Sequence, residues 1–115
     1  MKLTTKLHGL LDYIVVIFLL ASPTLFDLPP STSLFTYILG FVHLALTITT
    51  DFPPGLIKLI PAKVHGIVEL AVSIALVGVA FILEMIDGQV AKYFYLPFAA
   101  AVFFIWLITD YKHKA

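Results

Sequence analysis

Two short segments of the sequence combine a histidine with a carboxylate four residues later. His8 is followed by Asp12, and His65 is followed by Glu69. Because residues four apart share one face of an α-helix, each pair presents a nitrogen and an oxygen together. Imidazole and carboxylate groups bind divalent metal ions, and histidine also changes its charge near neutral pH. The pairs therefore indicate a site for a metal ion, a proton or a small cation, with a purely structural pairing of helices as the alternative.

Two further carboxylates and two lysines accompany these pairs. Asp51 and Asp110 each follow a threonine at the end of a predicted helix, where the helix dipole disfavours an unpaired negative charge. Lys6 and Lys63 each stand two residues before a histidine. We expect one cluster near one membrane surface, with the two lysines at its edge and a metal ion as its possible cofactor. The predicted members of the cluster are His8, Asp12, Asp51, His65, Glu69 and Asp110.

His43 lies near the middle of the second predicted helix and has no second histidine to match it. One interpretation is a neutral side chain that is hydrogen-bonded to a neighbouring helix. The other is a stopping place for a proton, or a haem ligand. A haem with two axial ligands would need another group at the same depth, and only one histidine lies mid-membrane.

The residues that the chain lacks exclude several kinds of chemistry. Without cysteine there is no thiolate nucleophile and no cysteine-bound iron–sulfur site. Without arginine a nucleic-acid surface is not expected, since such surfaces are rich in arginine and lysine. No nucleophile elbow, phosphate loop or dinucleotide motif occurs. An enzyme is therefore not favoured, and one built on a His/carboxylate metal centre ranks behind the other functions.

The composition predicts that these groups are held in a membrane. Hydrophobic residues make up 61% of the 115 residues and charged residues 12%, and so short a chain cannot bury that much apolar surface in its own core. Four segments approach the roughly 20 apolar residues that cross a bilayer. We expect an all-α, four-helix bundle forming a single transmembrane domain over 1–115. The predicted spans are 7–27, 32–50, 64–83 and 92–109.

The lysines predict the orientation of this bundle. Six of the seven flank one predicted side of the membrane, and only Lys92 lies on the other. Because positively charged loops stay in the cytoplasm, both termini are expected there, in a multi-pass protein of the cell's inner (plasma) membrane. The six lysines are Lys2, Lys6, Lys58, Lys63, Lys112 and Lys114.

The chain also repeats itself at a spacing of 57 to 59 residues. Residues 6–12 return as residues 63–69, and the Thr-Asp-aromatic segment at 50–52 returns at 109–111. Each half, 4–53 and 61–112, is then a helical hairpin that starts and ends on one side. Such halves are parallel repeats related by a pseudo-twofold axis along the membrane normal.

The first span carries a family resemblance. It begins His8-Gly9, continues to Asp12-Tyr13 and runs into Ala21-Ser22-Pro23. This order resembles small bacterial membrane proteins of the SPW-repeat type, whose hairpin units carry Ser-Pro-Trp near the end of a span. Thr24 stands in place of the tryptophan here, and the second half lacks the motif. The resemblance implies a small four-helix membrane protein of no assigned activity.

Two functions of different classes remain open from the sequence. In the first, the protein binds or conducts a proton, metal ion or small cation. Four short helices enclose little space, so a homo-oligomer in the lipid bilayer is expected to complete any path. In the second, the protein is a structural or accessory membrane protein, whose cluster only locks the bundle or meets a partner subunit.

Overall fold

The computed structural model describes residues 2–111, which form four α-helices and two very short strands. All four helices are long and apolar enough to cross a membrane. This confirms the prediction of an all-α protein with four candidate membrane spans. Lys112 and Lys114, used above for orientation, and the last residue of the second predicted half lie outside the described residues. The helices are α1 (Thr5–Leu25), α2 (Pro30–Ile48), α3 (Ala62–Asp87) and α4 (Gln89–Ile108).

Helix α3 extends about one turn beyond the predicted span, because the acidic residues of its last turn find partners. Glu84 forms an ion pair of 2.7 Å with Lys92 of α4. Asp87 Oδ2 accepts hydrogen bonds from the main-chain N–H and the hydroxyl of Thr32, at the start of α2. The turn between α3 and α4 is the single residue Gly88. Its φ of 94° is a conformation that glycine adopts without steric cost.

The helices pack as two hairpins, α1 with α2 and α3 with α4. On α1 and α3 the buried residues recur three or four apart, with a few adjacent pairs such as His8 and Gly9, so each helix turns one face inward. These inward positions correspond between the two helices at the 57-residue spacing. The buried residues include Thr5, His8, Gly9, Asp12, Val16 and Leu19 on α1, and Ala62, His65, Gly66, Glu69, Ser73 and Leu76 on α3. A half-turn rotation relating the hairpins stays a prediction.

The outward faces of the helices are apolar. Ile17, Leu34, Ile67 and Phe104 are typical, each with more than half of its surface exposed. A helix that is apolar on its outer face as well as its inner one needs a nonpolar surrounding medium. The candidate membrane helices therefore imply direct contact with lipid.

The segments next to the helices bring both described chain ends to one end of the bundle, here called the terminal end. Strand β1 (Thr50–Asp51) pairs in parallel with strand β2 (Ile60–Pro61). Leu3 makes the corresponding parallel bridge with Thr109. Each chain segment that follows a hairpin is thus fixed beside the start of α1 or α3, where the first His/carboxylate turn begins.

Candidate metal centre

The first turns of α1 and α3 face each other at the terminal end, and two glycines let neighbouring segments approach them closely. A Cβ atom added to Gly9 would lie 2.7 Å from Pro54 Cγ. A Cβ atom added to Gly66 would lie 3.0 Å from the ring of Tyr111. Only the missing side chain at each position permits these contacts. The glycines therefore let these two rings cover the helical turns that carry the histidine–carboxylate pairs.

The side chains of the two histidine–carboxylate pairs form a ring of alternating nitrogen and oxygen atoms. His8 Nε2 lies 2.7 Å from Glu69 Oε2 and 3.3 Å from Asp12 Oδ2. His65 Nε2 lies 3.0 Å from Asp12 Oδ2 and 3.1 Å from Glu69 Oε2. The four ligand atoms all lie within 4.8 Å of one another. We call His8, Asp12, His65 and Glu69 the four-residue cluster.

Each histidine of the cluster is held from behind by a threonine. His8 Nδ1 lies 2.8 Å from Thr109 Oγ1, and His65 Nδ1 lies 2.8 Å from Thr50 Oγ1. Both threonine hydroxyls donate at 2.6 Å to the main-chain carbonyl four residues earlier. A hydroxyl has a single hydrogen, so toward the histidine it can only accept. Each histidine Nδ1 therefore carries a proton and donates a hydrogen bond to the threonine hydroxyl oxygen.

This fixes which nitrogen faces the cluster. With Nδ1 protonated, Nε2 is the atom that can hold a metal ion through its lone pair or share a proton with a carboxylate. His8 belongs to the first hairpin and its threonine, Thr109, to the second. His65 belongs to the second hairpin and its threonine, Thr50, to the first. Each hairpin thus orients the histidine of the other.

Two of the four ligand atoms of the cluster are left without an aligned hydrogen bond. His65 Nε2 and Asp12 Oδ2 are 3.0 Å apart, an ion-pair distance, yet neither has a well-directed hydrogen-bond partner in the part of the chain that the structure describes. His8 Nε2 and Glu69 Oε2, by contrast, form a good hydrogen bond of 2.7 Å. Buried polar atoms are normally satisfied. The pair of atoms is consistent with a position prepared for a further group.

The cluster is shielded from solvent. The side chains of its four residues are between 0% and 6% exposed. The ring of Tyr111 packs against His8, and the ring of Phe52 packs against His65, with centroids 5.5 and 5.3 Å apart. Burial, with the nearby carboxylates as a smaller cause, raises the pKa of Tyr111 well above its usual range. Its hydroxyl therefore stays protonated and can donate to Glu69 Oε2 at 3.5 Å.

The structure brings together four of the six residues that were predicted to cluster. Asp51 lies in β1, and Asp110 donates its main-chain N–H to Leu3 O. Neither aspartate is among the four convergent ligands. Their segments act instead through the adjacent threonines.

The predicted lysine fringe and His43 have different outcomes. Lys6 and Lys63 are exposed, and within residues 2–111 the ion pairs of the two cluster carboxylates are made with histidines. His43 does reach the cluster, with its Nε2 3.5 Å from Asp12 Oδ1. It is therefore a neighbour of the cluster and not an isolated mid-membrane histidine.

Sequence reasoning missed the threonines, although their signal was present. The repeated Thr-Asp-aromatic motif at 50–52 and 109–111 predicts a role for its charged aspartate and not for its threonine. In the structure the threonine and the aromatic residue of each copy contact a cluster histidine. The repetition of all three positions, and not of the charge alone, was the useful signal.

No protein-family model matches this chain, and no match was found among curated proteins or solved structures. The resemblance to the SPW-repeat type therefore stays a prediction, and the proposals below rest on the site itself.

Proposed function

We propose that this protein binds a divalent transition-metal ion of the Zn²⁺ kind inside the terminal end of its membrane bundle. The ligands would be His8 Nε2, His65 Nε2 and one carboxylate oxygen each from Asp12 and Glu69. The observation that carries the proposal is the convergence of these four atoms within 4.8 Å, with both histidine Nδ1 atoms already committed to threonine hydroxyls.

The ligand set and its spacing support a transition metal. Imidazole nitrogen and carboxylate oxygen both bind Zn²⁺, at about 2.0–2.2 Å, and in a tetrahedral site ligands at that distance are about 3.3–3.6 Å apart. The four neighbouring nitrogen–oxygen distances are 2.7 to 3.3 Å. These four separations would need to widen by at most about 0.9 Å, which side-chain adjustment can supply.

Charge balance supports a divalent ion. Two carboxylates and two neutral imidazoles carry a charge of minus two, which a divalent ion neutralises. The cluster is buried in helices that are apolar enough to span a membrane, where uncompensated charge is costly. A monovalent ion would leave one negative charge unbalanced in the same place.

The threonines support a metal site over a simple lock between helices. Histidine ligands of metal sites commonly donate their second ring N–H to a neighbouring oxygen, which fixes both tautomer and ring orientation. His8 and His65 both do so. A lock needs no particular tautomer, whereas a metal ligand needs its proton on Nδ1 so that Nε2 can offer a lone pair to the ion.

A structural role is the second candidate, and one observation favours it. The contacts His8–Glu69 and His65–Asp12 both join α1 to α3, and so hold the two hairpins together. Buried polar contacts of this kind contribute about 1 kcal/mol or less in membrane bundles. The experiment below separates the two roles.

We further propose that the protein lies in a bacterial inner membrane with its terminal end facing the cytoplasm, and that copies of the chain associate. The distribution of lysines supports the orientation. The small interior that four helices enclose supports association if an ion passes through.

Zinc binding by the purified full chain in detergent tests the metal proposal. Calorimetric titration should give one Zn²⁺ per chain. Asp12→Asn combined with Glu69→Gln should weaken the affinity by about 100-fold or more, because two charged ligands become neutral amides. Glu84→Gln is the matched control: it removes a carboxylate from α3 at the opposite end of the bundle and should bind like the wild type.

The melting temperature of the same variants completes the test. If the wild type binds no Zn²⁺ and the double variant melts clearly earlier, the cluster is a structural lock and the metal proposal is wrong. If the wild type binds and the double variant folds but does not bind, the proposal stands.

A further inference from the structure

A cavity of about 70 Å³ adjoins the four-residue cluster, in the space between the two hairpins. Asp12, His43 and Glu69 line it at one end, and the rest of its wall is apolar, with contributions from all four helices. Since a water molecule occupies about 30 Å³ in the liquid, there is room for roughly two waters beside the cluster. The cavity therefore has room for an ion beside the four ligand atoms.

His43 stands where this cavity meets the cluster. Its side chain is 14% exposed, more than any of the four cluster side chains. Its Nε2 lies 3.5 Å from Asp12 Oδ1 and has no aligned hydrogen-bond partner within residues 2–111. Asp12 thus directs Oδ2 toward the cluster and Oδ1 toward His43.

The other sides of the cluster are closed. Thr50 and Thr109 occupy the Nδ1 sides of the histidine rings. Phe52 and Tyr111 pack against those rings at the terminal end, and Pro54 lies over Gly9. Among the described residues, the cavity is thus the space that adjoins the cluster on the side of Asp12 and Glu69.

We propose that His43 Nε2 and Asp12 Oδ1 form a transfer position, a second metal-binding position through which a divalent transition-metal ion moves between the cavity and the cluster. This inference rests on the proposed function above and adds the route of the ion. Asp12 bridges the two positions, so the ion keeps one carboxylate ligand while it exchanges its histidine ligands.

The physical need for such a position comes from the closure of the cluster. An ion bound by four protein ligands leaves slowly when bonds must break before new ones form. A ligand just outside the cluster lowers that barrier because it binds the ion as the first ligands release it. Since it acts only during the transfer, it speeds binding and release by the same factor and leaves the equilibrium unchanged.

Exchange kinetics of Co²⁺, whose visible absorption reports its coordination, test this route. The full chain in detergent would be mixed rapidly with Co²⁺ to measure binding, and loaded protein with excess chelator to measure release. In His43→Leu both rates should fall about tenfold or more, a barrier increase of about 1.4 kcal/mol, while the dissociation constant changes less than about threefold. Val102, the repeat counterpart of His43, indicates that an apolar side chain is tolerated at such a position.

Two further variants guard against a packing effect. Leu39→Ala alters the wall of the same cavity one turn away on α2 and removes no ligand, so both rates should match the wild type. His43→Gln keeps a polar group and a similar size, so its rates should fall between those of the wild type and His43→Leu.

The outcomes are distinguishable. Unchanged rates in a folded His43→Leu protein that still binds Co²⁺ overturn the transfer position and leave the proposed function intact. A large loss of affinity, with faster release, also overturns it, because His43 would then be a permanent ligand. A wild-type protein that binds no metal overturns the proposed function itself.

Discussion

At the scale of single residues, the two threonine hydroxyls decide what the cluster can do. A histidine with a free choice of tautomer could turn either nitrogen inward, and a carboxylate could then meet a hydrogen or a lone pair. Thr50 and Thr109 remove this choice, because each has already given its only hydrogen to a main-chain carbonyl. The identity of residues outside the cluster therefore sets the chemistry inside it.

We predict that Thr50→Val and Thr109→Val each weaken Zn²⁺ binding by about tenfold, the lower range for loss of a group that supports a metal ligand. Valine keeps the shape but leaves the histidine Nδ1–H without an acceptor in a buried site, which favours the wrong tautomer. Competition with a coloured chelator would measure the affinity.

Serine at position 50 and valine at a second buried threonine provide the controls for this prediction. Thr50→Ser keeps the hydroxyl and should retain most of the affinity. Thr47→Val removes a buried hydroxyl of α2 that bonds only the main-chain carbonyl of His43 among the described contacts, and should bind normally. Equal affinity for Thr50→Val, Thr109→Val and the wild type would contradict the role of the threonines.

At the scale of elements, the connection between α2 and α3 positions one of these threonines. Its main chain folds back on itself, so that the N–H groups of Leu56 and Ile57 both donate to Ile48 O. This fold leaves no room beside Gly55, where an added Cβ would lie 1.9 Å from the carbonyl oxygen of Thr50. A side chain at Gly55 therefore forces the main chain at Gly55 or at Thr50 to shift, and Thr50 is the residue that holds His65.

We predict opposite effects for alanine at two glycines. Gly55→Ala should lower the melting temperature and weaken Zn²⁺ binding, because the clash is with main chain and cannot be relieved by a side-chain rotation. Gly78→Ala, in the interior of α3 with nothing within 4 Å of the added Cβ, should stabilise the protein by about 0.5–1 kcal/mol, the usual gain for this change in a helix.

Thermal unfolding in detergent, followed by circular dichroism, gives both results in one experiment. If Gly55→Ala melts and binds like the wild type, the tight connection is not what holds Thr50 in place.

At the scale of the whole molecule, the described parts of both chain ends and the 51–61 connection lie at the terminal end, and Gly88 lies at the other end. An even number of spans requires this arrangement, but it leaves two orientations in the membrane. The lysines favour the one in which the terminal end is cytoplasmic.

We predict that a membrane-impermeant maleimide labels Gln89→Cys in intact cells and labels Leu56→Cys only after the membrane is opened. Both positions are exposed, and the natural chain contains no cysteine to interfere. The unsubstituted chain is the blank. Labelling of Leu56→Cys alone in intact cells would reverse the orientation, and equal labelling of both in intact cells would exclude a fixed one.

Local sequence patterns were enough to predict the helices and the faces that carry the chemistry. Four apolar segments separated by proline and glycine gave four helices, with α3 longer than expected because Glu84 and Asp87 found partners on other helices. The four-residue spacing placed His8 with Asp12 and His65 with Glu69. These features are local, since helix periodicity and apolar length can be read from neighbouring residues.

Which of these groups meet depends on the way the two hairpins pack together. His8 is held by a threonine 101 residues away, and His43 reaches Asp12 although nothing in its own helix required it to do so. Asp51 and Asp110 were expected at the same membrane level as the cluster carboxylates, yet the segments that carry them place the adjacent threonines at the site instead. Such contacts depend on how hairpins dock and rotate, and a short sequence pattern does not contain that information.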